Sequence, residues 1–170
     1  MEQEDFDELY LNFWPPSKRS SIELDTLKIR AARLFREGRH SIDAKPEDLA
    51  VWDVSQARCS YLKDTYDVHI AKSNKEAGEG EMVVLVIKPQ DLKGVMRELN
   101  GILRSEQVVL SVVAGGSLAT LEAGLGHRGT VRVMPNIAAK VGEAISFWIA
   151  TLETSPEQKE KARRFLQALG

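Results

Sequence analysis

The sequence predicts an α/β domain with an open, doubly wound and mostly parallel sheet, helices covering both faces. Three observations predict it. Short β-rich segments alternate with helix-patterned ones along most of the 170 residues, the order that builds strand–helix–strand units joined by right-handed crossovers. Two segments, "MVVLVI" (82–87) and "VVLSVV" (108–113), are apolar without the alternation of a one-sided sheet, as expected for strands buried on both faces. The length suits one domain, 1–170, which buries roughly two thirds of the surface its unfolded chain exposes. No linker, internal repeat or low-complexity tract divides it. These features define the Rossmann-like class, in which ligands sit beyond the carboxyl ends of the strands near the point where strand order reverses.

Each element has its own signal. "ELYLNFW" (8–14) reads as a strand ended by Pro15 and Pro16, which lack the amide hydrogen a ladder needs. Residues 21–37 carry apolar side chains at mainly helical spacing, with Ser20 and Glu23 as a capping box and Gly38 as a stop. "DLAVWDV" (48–54) reads as a strand, "SQARCSYLKDTY" (55–66) as a helix and "DVHIAK" (67–72) as a short strand. "EMVVLVI" (81–87) is the central strand, and Pro89 opens a helix through Leu103 with Val95, Met96, Leu99 and Leu103 facing the core. "QVVLSVV" (107–113) runs into a glycine turn and a helix start at "SLATLE" (117–122), and "TVRVM" (130–134) and "AISFWIAT" (144–151) are further strands. The strands between 48 and 151 are expected to lie parallel. A last helix begins near Ser155 with Pro156 at its first position.

Composition removes several function classes. Lys and Arg number 23 against 25 Asp and Glu, a net charge of −2, so neither nucleic acid nor an anionic membrane surface is an expected partner. The single cysteine, Cys59, has no partner for an internal disulfide, which suits a reducing compartment. The apolar runs are too short to span a bilayer, and "MEQEDFDE" at the start is acidic where a secretory signal needs an apolar stretch. A cytoplasmic protein is therefore expected. His40, His69 and His127 lack ligand spacing and no metal site is expected. Cys59 falls within a helix pattern, and Trp14, Trp52 and Trp148 within strand readings, so all four are assigned to packing.

Three motifs in register give a more specific reading. "VIKPQDL" (86–92), "VVLSVVAGGSLATLE" (108–122) and "VRVMPN" (131–136), the last followed by "VGEA" (141–144), resemble pyrroline-5-carboxylate reductase. That family carries Ala-Val-Lys-Pro-Gln-Asp, Ser-x-x-Ala-Gly and Met-Pro-Asn-Thr-Pro-Ala in this order and at similar spacing. Residues 46–77 also resemble its second strand, following helix and third strand, so the likeness covers roughly residues 30–170. The family reduces pyrroline-5-carboxylate to proline with NAD(P)H, and the resemblance implies a nucleotide-binding domain of that lineage.

The resemblance implies a cofactor site, residue by residue. Ser55 and Arg58 fall where the family holds the adenosine ribose or its phosphate. Arg58 suits a 2′-phosphate by bidentate contact and Asp53 a free ribose hydroxyl, which leaves NADP and NAD both open. Asn74 matches a family asparagine near the adenine or ribose, and its residue type also suits a capping role. Val86, Ile87, Lys88 and Pro89 lie at the carboxyl end of the central strand. Val112, Val113, Ala114 and Gly115 form a small-residue turn whose main chain can approach a flat ring closely. Met134, Pro135 and Asn136 match the nicotinamide-facing loop. Ile137 and Ala138 stand where the family has Thr and Pro, which removes a hydroxyl on the substrate side. No catalytic residue is assigned.

Two family features are missing from this reading. The family opens with a strand and Gly-x-Gly-x-x-Gly, whose glycines give the backbone room to reach a pyrophosphate. At the equivalent place stands "FWPPSKRSSIEL", without a glycine before Gly38, and residues 1–20 form a divergent N-terminal segment. Lys18, Arg19, Ser20 and Ser21 can attract phosphate at a helix start. The family also adds a helical domain that supplies the substrate motif, and Gly170 is reached before such a domain begins. The expected function is thus a pyrroline-5-carboxylate reductase-type NAD(P) domain, incomplete or inactive alone, with weak or lost dinucleotide binding. Its possible partners are a dinucleotide, a separate helical subunit or a second copy. The alternatives are a non-catalytic Rossmann-like regulatory protein and a truncated gene product.

Overall fold

The computed structural model describes residues 48–136 and 145–167. The strand expected at 8–14, the helix at 21–37, and His40, Ile137 and Ala138 lie outside them. In chain order the described elements are β1 (Ala50–Val51), α1 (Gln56–Tyr66), β2 (His69–Ile70), α2 (Asn74–Ala77), β3 (Met82–Leu85), α3 (Pro89–Leu99), β4 (Val108–Ser111), α4 (Leu118–Leu125), β5 (Thr130–Pro135), β6 (Ser146–Ala150) and α5 (Pro156–Gln167). The expected alternation of strand and helix is present from β1 to β5. Most of the strands, and α3, are shorter than expected. The strand at 48–54 contracts to two residues and leaves Trp52 beyond its end, and α3 stops at Leu99, where Asn100 turns extended.

The strands form two groups. β1 pairs in parallel with β2, and β3, β4, β5 and β6 form a four-stranded sheet in that order. β3–β4 and β4–β5 are parallel, with Leu85, Ser111 and Arg132 at one level. β6 corrects the expectation of an all-parallel sheet: it pairs antiparallel with β5, Val133 opposite Trp148. The cause is the short connection. A parallel return needs a crossover of a dozen or more residues, and only residues 137–144 separate Asn136 from Ile145.

Burial follows from the apolar runs. On one face of the sheet Val108, Leu110, Val131 and Val133 pack under Ala162, Phe165 and Leu166 of α5. On the other, Val83, Leu85, Val109 and Val113 pack under Leu92, Met96 and Leu99 of α3 and Leu121 and Leu125 of α4. Each fully buried side chain of this size stabilises by about 1.5–3 kcal/mol relative to exposure, which makes β4, covered on both faces, the anchor of the core. Four of the five described helices begin on side-chain caps: Ser55, Ser73 and Ser117 each accept a main-chain N–H with the side-chain oxygen, and Ser155 does so for Gln158.

The amino end of the sheet is tied by buried amides. Gln107, fully buried, donates from Nε2 to the carbonyls of Gly78 (2.8 Å) and Gly80, and its Oε1 accepts from the Arg104 amide. Gln158 donates to the carbonyls of Ser105 (2.9 Å) and Gln107 (2.6 Å). His127 Nε2 lies 3.0 Å from the Gln107 carbonyl and donates to it, because a carbonyl only accepts. These bonds satisfy main-chain groups that the loops at this end would otherwise bury unpaired.

Candidate functional site

The opposite, carboxyl end of the sheet carries the candidate site. Since Leu85, Ser111 and Arg132 share one level, the segments after them leave the sheet together. Val86–Pro89 follows β3, Val112–Gly115 follows β4, and Met134–Asn136 ends β5. The turn after β1 holds Asp53 and Ser55, and Arg58 follows in α1. Eleven of the expected site residues thus gather at strand ends or the turns directly beyond them, while Asn74 and Pro89 are the first residues of a following helix and Arg58 the third.

Each segment has a local cause. Lys88 is exposed at the N-cap of α3 and makes no side-chain capping bond, and Pro89 takes the first helical position, where its missing amide hydrogen costs nothing. The positive end of the α3 dipole therefore lies beside an exposed lysine. Ser111, fully buried, accepts the Val113 amide on Oγ at 3.3 Å and bends the chain out of β4. Gly115 has φ +78°, and nothing lies within 4 Å of the position a Cβ would take. Only glycine holds this conformation without strain, and the face it leaves open admits a flat group.

Beyond β1, Asp53 accepts the Ser55 amide at 2.8 Å, and Ser55 accepts the Arg58 amide as the cap of α1. The Arg58 guanidinium lies 5.9 Å from the Tyr61 ring centroid, a cation–π distance. Cys59 is buried and directs its thiol to the Asp53 carbonyl at 3.5 Å. Asn74 donates to Glu98 at 3.0 Å, and the Asn136 oxygen accepts the Ile145 amide at 3.3 Å. Both asparagines assigned to ligand contact are thus already held by protein groups.

Three residues at this end were not assigned a role from sequence. Ser111 shapes the turn, and Arg132, 1% exposed, lies beside it in the β4–β5 register. Glu76 accepts the Lys72 amide at 2.8 Å and pairs with His69 at 3.1 Å, and the Lys72 amide, more than His69, holds its carboxyl below the usual value. The signal for Glu76 was present: Ser73 and Glu76 stand at capping-box spacing. Among the described residues no group of three or more His, Cys, Asp or Glu is placed to hold a metal ion. None of the described helices is long and apolar enough to cross a membrane.

Comparison with known proteins decides the lineage. The family described as NADP oxidoreductase, coenzyme F420-dependent, matches residues 29–115. A pyrroline-5-carboxylate reductase of Synechocystis is 34% identical over 140 residues, 82% of this chain and 51% of that protein. The chain belongs to the pyrroline-5-carboxylate reductase family. The reductase of Pseudomonas aeruginosa is 38% identical over 107 residues, 62% of this chain and 39% of its own. The solved pyrroline-5-carboxylate reductase of Coxiella burnetii superposes with a TM-score of 0.76 at 27% identity, covering 86% of this chain and 53% of that one. A Plasmodium falciparum reductase solved with NADP bound shares the fold at TM-score 0.69 and 22% identity, covering 85% of this chain and 50% of its own. The chain thus spans about half the length of the family members it matches, and its Rossmann-like domain corresponds to their nucleotide-binding part.

Proposed function

We propose that this chain is the dinucleotide-holding half of a pyrroline-5-carboxylate reductase-type oxidoreductase, with NADPH or NADH lying across the carboxyl ends of β1, β3, β4 and β5. The observation that carries it is the convergence of Lys88, the open Gly115 turn and the Met134–Asn136 loop at one end of the sheet. The residues fit such a cofactor. An open glycine face accepts a ring, and a helix start with an uncapped, exposed lysine accepts an anion. The bound cofactor would supply a hydride. The chain's part is to orient the ring on the Val112–Gly115 main chain, neutralise phosphate with Lys88, and hold the adenosine end near Ser55, Arg58 and Asn74.

The reading has two finer parts. Binding is weak, because the glycine-free stretch "PPSKRSS" lacks the close main-chain approach of a glycine loop. Losing two or three charge-assisted hydrogen bonds of about 1.5–3 kcal/mol each lowers affinity by at least a hundredfold, towards the millimolar range. Hydride transfer also needs a wall that holds the acceptor against the cofactor, because positioning is worth up to about 7–11 kcal/mol.

Calorimetry with NADPH and NADH on the full chain and on Lys88→Ala tests the reading. We expect millimolar binding weakened roughly tenfold or more by the substitution, and no turnover of pyrroline-5-carboxylate by the chain alone. Binding indifferent to Lys88 overturns the assigned site, and turnover overturns the reading of the chain as inactive alone. The same glycine-free stretch favours one alternative, a family member that no longer binds dinucleotide; absence of binding at tens of millimolar NADPH would establish it.

A further inference from the structure

β6 forms one edge of the four-stranded sheet, and no strand among the described residues pairs with its outer side. Its pairing with β5 fixes which main-chain groups face outward. The Asn136 amide donates to the Ile145 carbonyl and the Thr151 amide to the Thr130 carbonyl, so Ile145, Phe147, Ile149 and Thr151 turn their groups to β5. By alternation Ser146, Trp148 and Ala150 present theirs to the open edge. Exposed edges are ordinarily blunted by charge, by proline or by brevity. β2, an edge of the smaller sheet, is only two residues long. β6 uses none of these devices: it runs for five residues, and the stretch "AISFWIATL" (144–152) around it holds neither a charge nor a proline. Three of the five large apolar side chains exposed among the described residues lie here, Ile145 at 65%, Phe147 at 59% and Leu152 at 96%.

An uncharged edge of this kind is complementary to itself. Antiparallel pairing about a two-fold axis at Trp148 sets that residue against its counterpart and Ser146 against the partner's Ala150. Each outward donor then meets an outward acceptor, and no like charges are opposed along the ladder. Trp148 and Ala150 pack on the face that α5 covers, so Phe147 and Ile149 lie on the other face. There the same register sets Phe147 against the partner's Ile149, an aromatic and β-branched pair of the kind that stabilises sheets. We infer that β6 pairs with β6 of a second copy of this chain and joins the two sheets into one. The ladder is short and the interface small, so the dimer dissociates in the micromolar range. The inference is independent of dinucleotide binding.

Sedimentation equilibrium and amide exchange followed by NMR, both on the full chain, test it. We expect a monomer–dimer equilibrium with Kd about 1–100 μM. Phe147→Lys places a blunting charge on the edge and Ala150→Pro removes an outward amide without a bond to β5; each should raise Kd at least about tenfold while Val109 and Leu110 stay protected, which shows the fold intact. The Ser146 and Trp148 amides should exchange at least about tenfold more slowly in the unaltered chain than in either variant, and the Phe147→Lys variant should keep its Ile149 amide protected by β5. A chain that is still monomeric at about 1 mM overturns the inference, and so does a Kd that neither variant changes. Protection of the Trp148 amide in the monomer also overturns it, because another segment of the same chain then covers the edge.

Discussion

Gly124 shows how one missing side chain sets a helix–helix distance. A Cβ at this position in α4 would stand 2.5 Å from Sδ and 2.8 Å from Cε of Met96 in α3. Glycine within a helix ordinarily costs about 0.5–1 kcal/mol relative to alanine, so the bare propensity argument favours Gly124→Ala. Met96 is 7% exposed and already packed among Leu92, Leu99 and Leu125, and overpacking such a site costs about 1–3 kcal/mol. The overlap outweighs the propensity. Thermal melting should show Gly124→Ala less stable by about 1–2 kcal/mol, a fall of several degrees. In the Met96→Ala background the same change should be neutral or favourable. Additive effects in the double variant would mean the two side chains do not compete for this space. None of this was legible in "LEAGL", where Gly124 reads only as a weak helix residue; the need for it comes from a methionine some thirty positions away.

At the scale of one element, α5 joins a buried face to a charged outer turn. Gln158, Ala162, Phe165 and Leu166 recur at helical spacing and are buried. The outer face depends on Glu160, whose carboxylate accepts from Arg163 at 2.6 and 2.7 Å and from Arg164 at 3.0 Å. These bonds, Arg163 first, lower its pKa from 4.5 to about 2. A carboxyl whose folded value lies below its unfolded one contributes stability that is full above the unfolded value and is lost as pH falls through the folded value. The gap between wild type and Glu160→Gln should therefore be present at neutral pH, shrink between 4.5 and about 2, and narrow in high salt. Melting curves measured across that range check it; a gap independent of pH would mean the two arginines do not hold this carboxylate in solution. The pair is exposed to solvent and belongs among contacts of small energetic weight.

For the whole molecule, what was legible depended on range. The parallel core could be read because "MVVLVI" and "VVLSVV" are buried on both faces and need no partner's identity to say so. That the motifs fall at strand ends could be read, and the register sets those ends level. The direction of β6 was missed although a signal existed, the shortness of 137–144. The occupied state of Asn74 and Asn136 was beyond reach, since Glu98 is distant in sequence and the Ile145 amide depends on the reversal of β6. That reversal has a consequence for how the protein can vary over generations. The two ends of 137–144 are clamped, the Asn136 amide to the Ile145 carbonyl at 3.2 Å, at the margin of the candidate site. Between ends fixed in this way closure entropy makes a four-residue lengthening cost about 0.4 kcal/mol, so the sheet is expected to tolerate a change of length there. The connection at the other end has no such freedom: Thr151 and Thr154 share a buried hydroxyl contact of 2.7 Å above the Thr130 carbonyl. A four-residue insertion at 140 should leave the melting temperature within about two degrees, whereas the same insertion after Leu152 should lower it by at least twice as much. Equal losses at the two points would deny that this fold keeps its tolerance for novelty on the side where a substrate would be met.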